Sequence, residues 1–257
     1  WGLNFSRRIQ RSNTQTFWNF VDPKVNGFIN QEGLWTGIKD IKPPLRLSFS
    51  PYISAYVNHY PVNLPGVRNT TSRFNGGMDV KYGINDAYTL DAVLIPDFGQ
   101  AAFDNVILNL GPFEQQFNEN RPFFTEGTDL FNRGGLLYTR RIGGPPTQFP
   151  NVAENEKVQY FPSAVNMINA TKISGRGKDG LGIGFLNAIT ERTEVLIENE
   201  DTGEIRSEVV EPLTNFNVTV FDQRFNQNSS VTVINTNVTR TGHFRDANVL
   251  GVLADLN

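Results

Sequence analysis

Apolar and polar residues alternate strictly between positions 45 and 57. Leu45, Leu47, Phe49, Pro51, Ile53, Ala55 and Val57 hold the odd positions; Arg46, Ser48, Ser50, Tyr52, Ser54 and Tyr56 hold the even ones. A period of two sends successive side chains to opposite faces of an extended chain, so this stretch is a strand with one apolar and one polar face. It also exceeds the roughly 9–11 residues that a tilted strand needs to cross a bilayer. Pro51 cannot donate to a ladder on its own N–H, which predicts an edge or a bulge there.

The pattern recurs. In residues 73–84, Phe74, Met78, Val80, Tyr82 and Ile84 share one face, and Arg73, Asn75, Asp79 and Lys81 share the other. Asn85-Asp86 is a turn, and residues 88–96 return as the partner strand with Asp91 opposite in parity to Leu90, Ala92 and Leu94. Further strands are expected at 164–174, 181–196, 205–210, 215–224, 230–240 and 247–256. The turns between them include Gly175–Gly180, Asp201–Glu204 and Asn226–Asn228. Gly182 and Gly184 predict a kink or bulge. No helix of ordinary length is expected, and no stretch of about 18 apolar residues could form a transmembrane helix.

The fold class that follows is all-β: antiparallel strands of a transmembrane outer-membrane β-barrel. In such a barrel every second residue faces lipid, and Asp79, Lys81 and Asp91 point into a lumen where they pair or meet water. Roughly eight to ten strands are expected. The last one ends without a closing aromatic residue, which favours the beginning of a larger barrel. The chain opens on Trp1-Gly2-Leu3-Asn4-Phe5 with no signal peptide, so the expectation for an exported protein is a leader removed from further upstream. Residues 97–135 break the strand pattern. Rich in Phe, Asn, Glu and Gly, they read as a plug-like insertion folded against the rest.

Composition narrows the chemistry. There is no cysteine among the 257 residues, which removes disulfides, thiolate metal sites and cysteine nucleophiles. His59 and His243 are the only histidines, too few for a histidine metal cluster. A net charge of -3, with no long basic run, argues against a nucleic-acid partner. His59 is expected at a strand end and His243 in a polar loop. The run Gly175–Gly180 superficially resembles a phosphate loop but lacks the strand-to-helix setting and reads as a hairpin turn. Trp1, Trp18 and Trp35 read as interfacial or core aromatics before sugar-stacking platforms.

Between positions 96 and 143 the order of residues is distinctive. Pro96-Asp97-Phe98-Gly99-Gln100, Asp104, Asn109–Glu114, Asn118–Gly127 and Tyr138–Gly143 follow one another as a long signature. It resembles an uncharacterised family of Bacteroidota outer-membrane proteins, whose typical members carry a family-nine-type carbohydrate-binding module followed by a large domain predicted to be a β-barrel. The resemblance implies that residues 1–44 are a linker and a strand from the upstream module. Residues 45–257 would be the N-terminal part of the barrel, with the insertion at 97–135. It further implies a bacterial outer-membrane location, with outer-membrane lipid, a glycan and other envelope proteins as partners.

Within the signature, Asp97, Asp104, Glu114, Glu119 and Glu126 lie close in sequence to Arg121, Arg133, Arg140 and Arg141. The plain reading is an ion-pair network that pins the insertion to the barrel wall, with Phe113, Phe117, Phe123 and Phe124 as its anchors. A glycosidase-like carboxylate pair or a Ca²⁺ site stays open, because spacing along the chain does not set either geometry. No catalytic residue, metal or cofactor is assigned. The expected function is a non-enzymatic outer-membrane barrel in transport, scaffolding or surface glycan capture; the alternative is a carbohydrate-active β protein that binds or hydrolyses glycans.

Overall fold

The computed structural model describes residues 2–23, 25, 28–37, 45–59, 70–96, 111–112, 115–162, 164–225 and 229–256. Among these the fold is all-β, and every strand pairing is antiparallel. The N-terminal stretch forms two small pairs: β1 (Gly2–Leu3) with β4 (Gly33–Leu34), and β2 (Ser6–Ile9) with β3 (Thr14–Phe17). Trp18 meets Phe5 edge to face at 6.2 Å, yet both rings stay largely exposed. Trp1 lies outside the described residues.

The main sheet has eight strands: β5 (Leu47–His59), β6 (Thr70–Gly83), β7 (Tyr88–Leu94), β9 (Met167–Arg176), β10 (Leu181–Thr190), β13 (Thr214–Phe225), β14 (Ser229–Arg240) and β15 (Ala247–Asp255). Across the sheet they run β15-β14-β13-β10-β9-β7-β6-β5. Among the described residues β5 and β15 stand at its two ends, so the sheet is open. The long alternating run at 45–57 is the edge strand β5, and Pro51 sits in it opposite Met78 without a break in register. An edge position leaves one side of the strand unpaired, where a missing N–H costs nothing.

A second, three-stranded sheet follows the order β12-β11-β8, made by β8 (Glu156–Val158), β11 (Thr193–Asn199) and β12 (Ile205–Glu211). The expected single strand over 181–196 is two. β10 ends in a register shift at Ile189/Thr190, and β11 restarts at Thr193. The β11–β12 hairpin thus continues the β10–β13 pair as a flap with its own small core of Val195, Ile197 and Val210. The Asn199 side-chain carbonyl accepts from the N–H groups of Asp201 and Thr202 at 3.0 Å each, which closes the flap's tip.

The two faces of the main sheet differ. One is covered by residues 115–142, which contain one α-helical turn, α1 (Pro122–Thr125), and two 3₁₀ turns, Arg133–Gly135 and Thr139–Arg141. Phe123, Phe124, Leu130, Phe131 and Ile142 of this segment pack on Leu186, Val218, Val220 and Ile234 of the sheet as one core. The segment approaches the wall closely at β10. A Cβ built on Gly184 would lie 3.1 Å from the Phe131 ring, and one on Gly182 2.8 Å from Leu130. The pairing at both glycines is regular, so they make no bulge; they clear the floor on which Leu130 and Phe131 lie.

The other face is bare. Phe49 is 59% exposed, Ile53 75%, Phe74 71% and Val252 67%. Parity explains the division: Lys81, Asp91, Lys172 and Leu186 form one register row beneath the segment, while the adjacent row of Tyr82, Leu90, Ile173 and Phe185 points the opposite way.

Candidate functional site

The charged groups of the covered face gather where residues 115–142 meet the sheet, in three clusters. The first holds the segment to itself. The Arg121 guanidinium, buried under the segment, donates through Nε to Glu119 Oε1 at 2.8 Å and through Nη2 to Glu119 Oε2 at 2.7 Å. It also donates to the carbonyls of Thr139 (2.8 Å) and Ile142 (2.6 Å). The Thr139 hydroxyl donates to Glu119 Oε2 at 2.7 Å, and the Phe124 ring lies under the guanidinium at 4.3 Å. Burial alone would raise the Glu119 pKa. The hydrogen bonds from Arg121 and Thr139 outweigh it, and the carboxyl is held below its usual range. The clamp joins two stretches about twenty residues apart.

The second cluster ties the segment to the wall. Lys81 on β6, Asp91 on β7 and Lys172 on β9 are cross-strand neighbours in one register row, with contacts of 3.7 Å and 3.6 Å to Asp91. This alternation of sign across three strands is favourable on a shared face. Lys172 is 0% exposed; its ammonium also donates to the Phe123 carbonyl at 2.6 Å and to the Glu126 carbonyl. Lys81 pairs with the Glu126 carboxylate, and that hydrogen bond holds the Glu126 pKa low.

The third cluster centres on Asp222 of β13, 0% exposed. Thr232 donates to its Oδ1 at 2.6 Å, and Arg176 of β9 pairs with its Oδ2. Arg133 of the segment and Arg224 of β13 each stand 3.9 Å from the same carboxylate. A cavity of about 260 Å³ opens beside it, lined by Gly127, Asp129, Leu130, Arg133, Gly175, Arg176 and Arg224.

Of the residues marked in the sequence, Glu119 and Arg121 are joined directly, and Glu126 meets the wall lysine Lys81 in place of the segment's arginines. Arg140 and Arg141 lie in the short turn Thr139–Arg141, whose first carbonyl Arg121 grips. Asp97, Asp104, Phe113 and Glu114 lie outside the described residues. Sequence reasoning passed over Lys172, Arg176, Asp222 and Arg224. Their signal was a charge on the parity of buried neighbours: Lys172 with Ala170, and Asp222 with Val218 and Val220. His59 ends β5, where its Nδ1 lies 2.9 Å from the Thr70 hydroxyl. The run Gly175–Gly180 turns β9 into β10, with Gly180 at φ 85°. Among the described residues no group of three His, Asp or Glu is placed to hold a metal, and no helix is long and apolar enough to cross a membrane.

A family model described as "Domain of unknown function (DUF5916)" matches residues 43–257. No curated protein and no solved structure matches the chain.

Proposed function

The chain belongs to the DUF5916 family, and on that premise we propose that it forms the front portion of an outer-membrane β-barrel whose interior is filled by residues 115–142. The observation that carries this reading is the way the two faces of the sheet divide. Fully buried Lys172 and Asp222 lie on the covered face, while Phe49, Ile53, Phe74 and Val252 stand bare on the other. A sheet bathed in water on its open side loses free energy by presenting a wide apolar surface there. A barrel wall in lipid needs that surface, and it keeps its charges inside, where they pair.

The apolar band is also oblique to the register. Phe49, Val80 and Ala92 in the first strands align with Thr171, Asn187, Asn217, Asn237 and Asn248 in the later ones. The later positions form a polar border in which Asn187 donates to Asn215 and Asn217 at 2.6 Å and 2.7 Å. Strands that tilt against a bilayer make a level apolar belt cross the register in this way.

The role of such a barrel is non-enzymatic: transport, scaffolding or surface glycan capture in the envelope of a Bacteroidota cell, downstream of a family-nine-type carbohydrate-binding module. Both described acidic candidates support a holding role. Glu119 and Glu126 are each engaged by a cation and kept ionised, which suits them poorly to donate a proton to a leaving group. The test uses the native full-length protein. Outer-membrane fractionation with a heat-dependent gel shift is the expected result. A protein that stays soluble and runs identically with and without boiling overturns the barrel.

A further inference from the structure

Three guanidiniums meet at the cavity between residues 127–133 and the β9–β13 wall. Only Arg176 is fully engaged: it pairs with Asp222 Oδ2 and donates to the carbonyls of Gly180 (2.6 Å) and Asp222 (3.2 Å). Arg133 and Arg224 reach Asp222 only at 3.9 Å, longer than a hydrogen bond, and among the described residues they have no closer polar partner. The carboxylate they share is already filled, with Thr232 on one oxygen and Arg176 on the other. With Asp129, the cavity gathers three cations and two anions, an excess of one positive charge. Guanidinium forks that are partly desolvated and lack a matched acceptor are the arrangement by which proteins hold oxyanions.

We propose that this cavity binds a small phosphate-type dianion, with Arg133 and Arg224 as the direct ligands and Arg176 held in place by Asp222. Its size of about 260 Å³ suits inorganic phosphate or the phosphoryl end of a small metabolite. The excess of one positive charge calls for an anion, and a phosphoryl group has three acceptor oxygens with which to meet two forks at once, where a carboxylate has only two. The glycine-rich turn at 175–180 contributes through the arginine it carries and not through a backbone cradle. The site stands on the geometry of the segment against the sheet, so it is independent of whether the open face meets lipid.

The test is calorimetric titration of the purified full-length protein with inorganic phosphate, at constant ionic strength set with chloride. Saturable binding is expected, weakened about tenfold in Arg224→Gln, the loss of one charge-assisted contact. Arg224 is half-exposed, so this variant keeps the fold; Arg224→Lys, which retains charge but loses the fork, serves as the second variant and also weakens binding. Lys178→Gln makes the same charge change outside the cavity and leaves the affinity as it was. Acetate binds more weakly than phosphate. The proposal is overturned if no saturable phosphate binding occurs, if Lys178→Gln weakens it as much as Arg224→Gln does, or if acetate binds as tightly.

Discussion

Replacing Arg121 by alanine tests whether residues 115–142 are held by the clamp. The substitution removes two hydrogen bonds to the Glu119 carboxylate and two to the carbonyls of Thr139 and Ile142. It leaves Glu119, whose side chain is 13% exposed, ionised and without its counter-charge. Breaking such a buried pair from one side costs about 3–5 kcal/mol. That cost falls on the opening of the segment, because both partners and both carbonyls belong to it. At 1.4 kcal/mol per tenfold, the open population rises by about 10² to 10³. Trypsin reads this population when the segment recloses faster than it is cut, and Arg133, Arg140 and Arg141 supply the cleavage sites. The expected outcome is therefore a cleavage rate at these arginines about 10²- to 10³-fold higher in Arg121→Ala, with β-sheet circular dichroism unchanged. With Glu119→Gln as the second single variant, the double variant Glu119→Gln/Arg121→Ala removes both charges and recovers much of the loss, which gives a coupling energy well above zero in the cycle. A rise of less than about threefold, or additive single and double effects, refutes the clamp.

Gly184→Val forces a branched Cβ toward the Phe131 ring; a loss of about 1–3 kcal/mol is expected as a lower denaturation midpoint at unchanged slope, and an unmoved midpoint refutes the close approach. Phe49→Ser takes an aromatic ring from the open face; in liposomes it destabilises by about 1.5–3 kcal/mol, whereas equal stability of variant and parent in lipid counts against membrane contact. In the flap, Arg206 grips both oxygens of Glu156 at 2.8 Å and, with the Ala153 N–H, pulls its pKa from 4.5 to about 2. Because the folded value is the lower one, the pair's contribution is complete above 4.5 and fades as the pH falls toward 2. Carbon-detected titration should place Glu156 near 2 and return it to its ordinary value in Arg206→Gln; a Glu156 that titrates normally in the parent refutes the pair.

Much of the sheet could be read from one dimension. Parity alone assigned Asp79, Lys81 and Asp91 to one face and Phe74, Val80 and Leu90 to the other, since alternation is a local property of an extended chain. The break between β10 and β11 falls in the polar run Thr190-Glu191-Arg192-Thr193-Glu194, which holds no glycine, proline or turn dipeptide to mark a strand end. The irregularity that separates them belongs to the pairing with β9, which local pattern does not carry. The glycines of β10 were misread for a related reason. A glycine in a strand signals lost side-chain volume, and only the arrival of Leu130 and Phe131 from fifty residues away says what fills it.

The sequence by itself determined that this chain makes antiparallel strands with opposed faces, and that the described residues 115–135 are not one of them, because side-chain period and turn chemistry act between near neighbours. The tertiary structure alone decided which charges meet. Lys172 with Asp91, Glu126 with Lys81, and three arginines around Asp222 are brought together by strand register and by a segment laid across the wall. Electrostatic contact depends on distance in space, and no pattern along the chain encodes it.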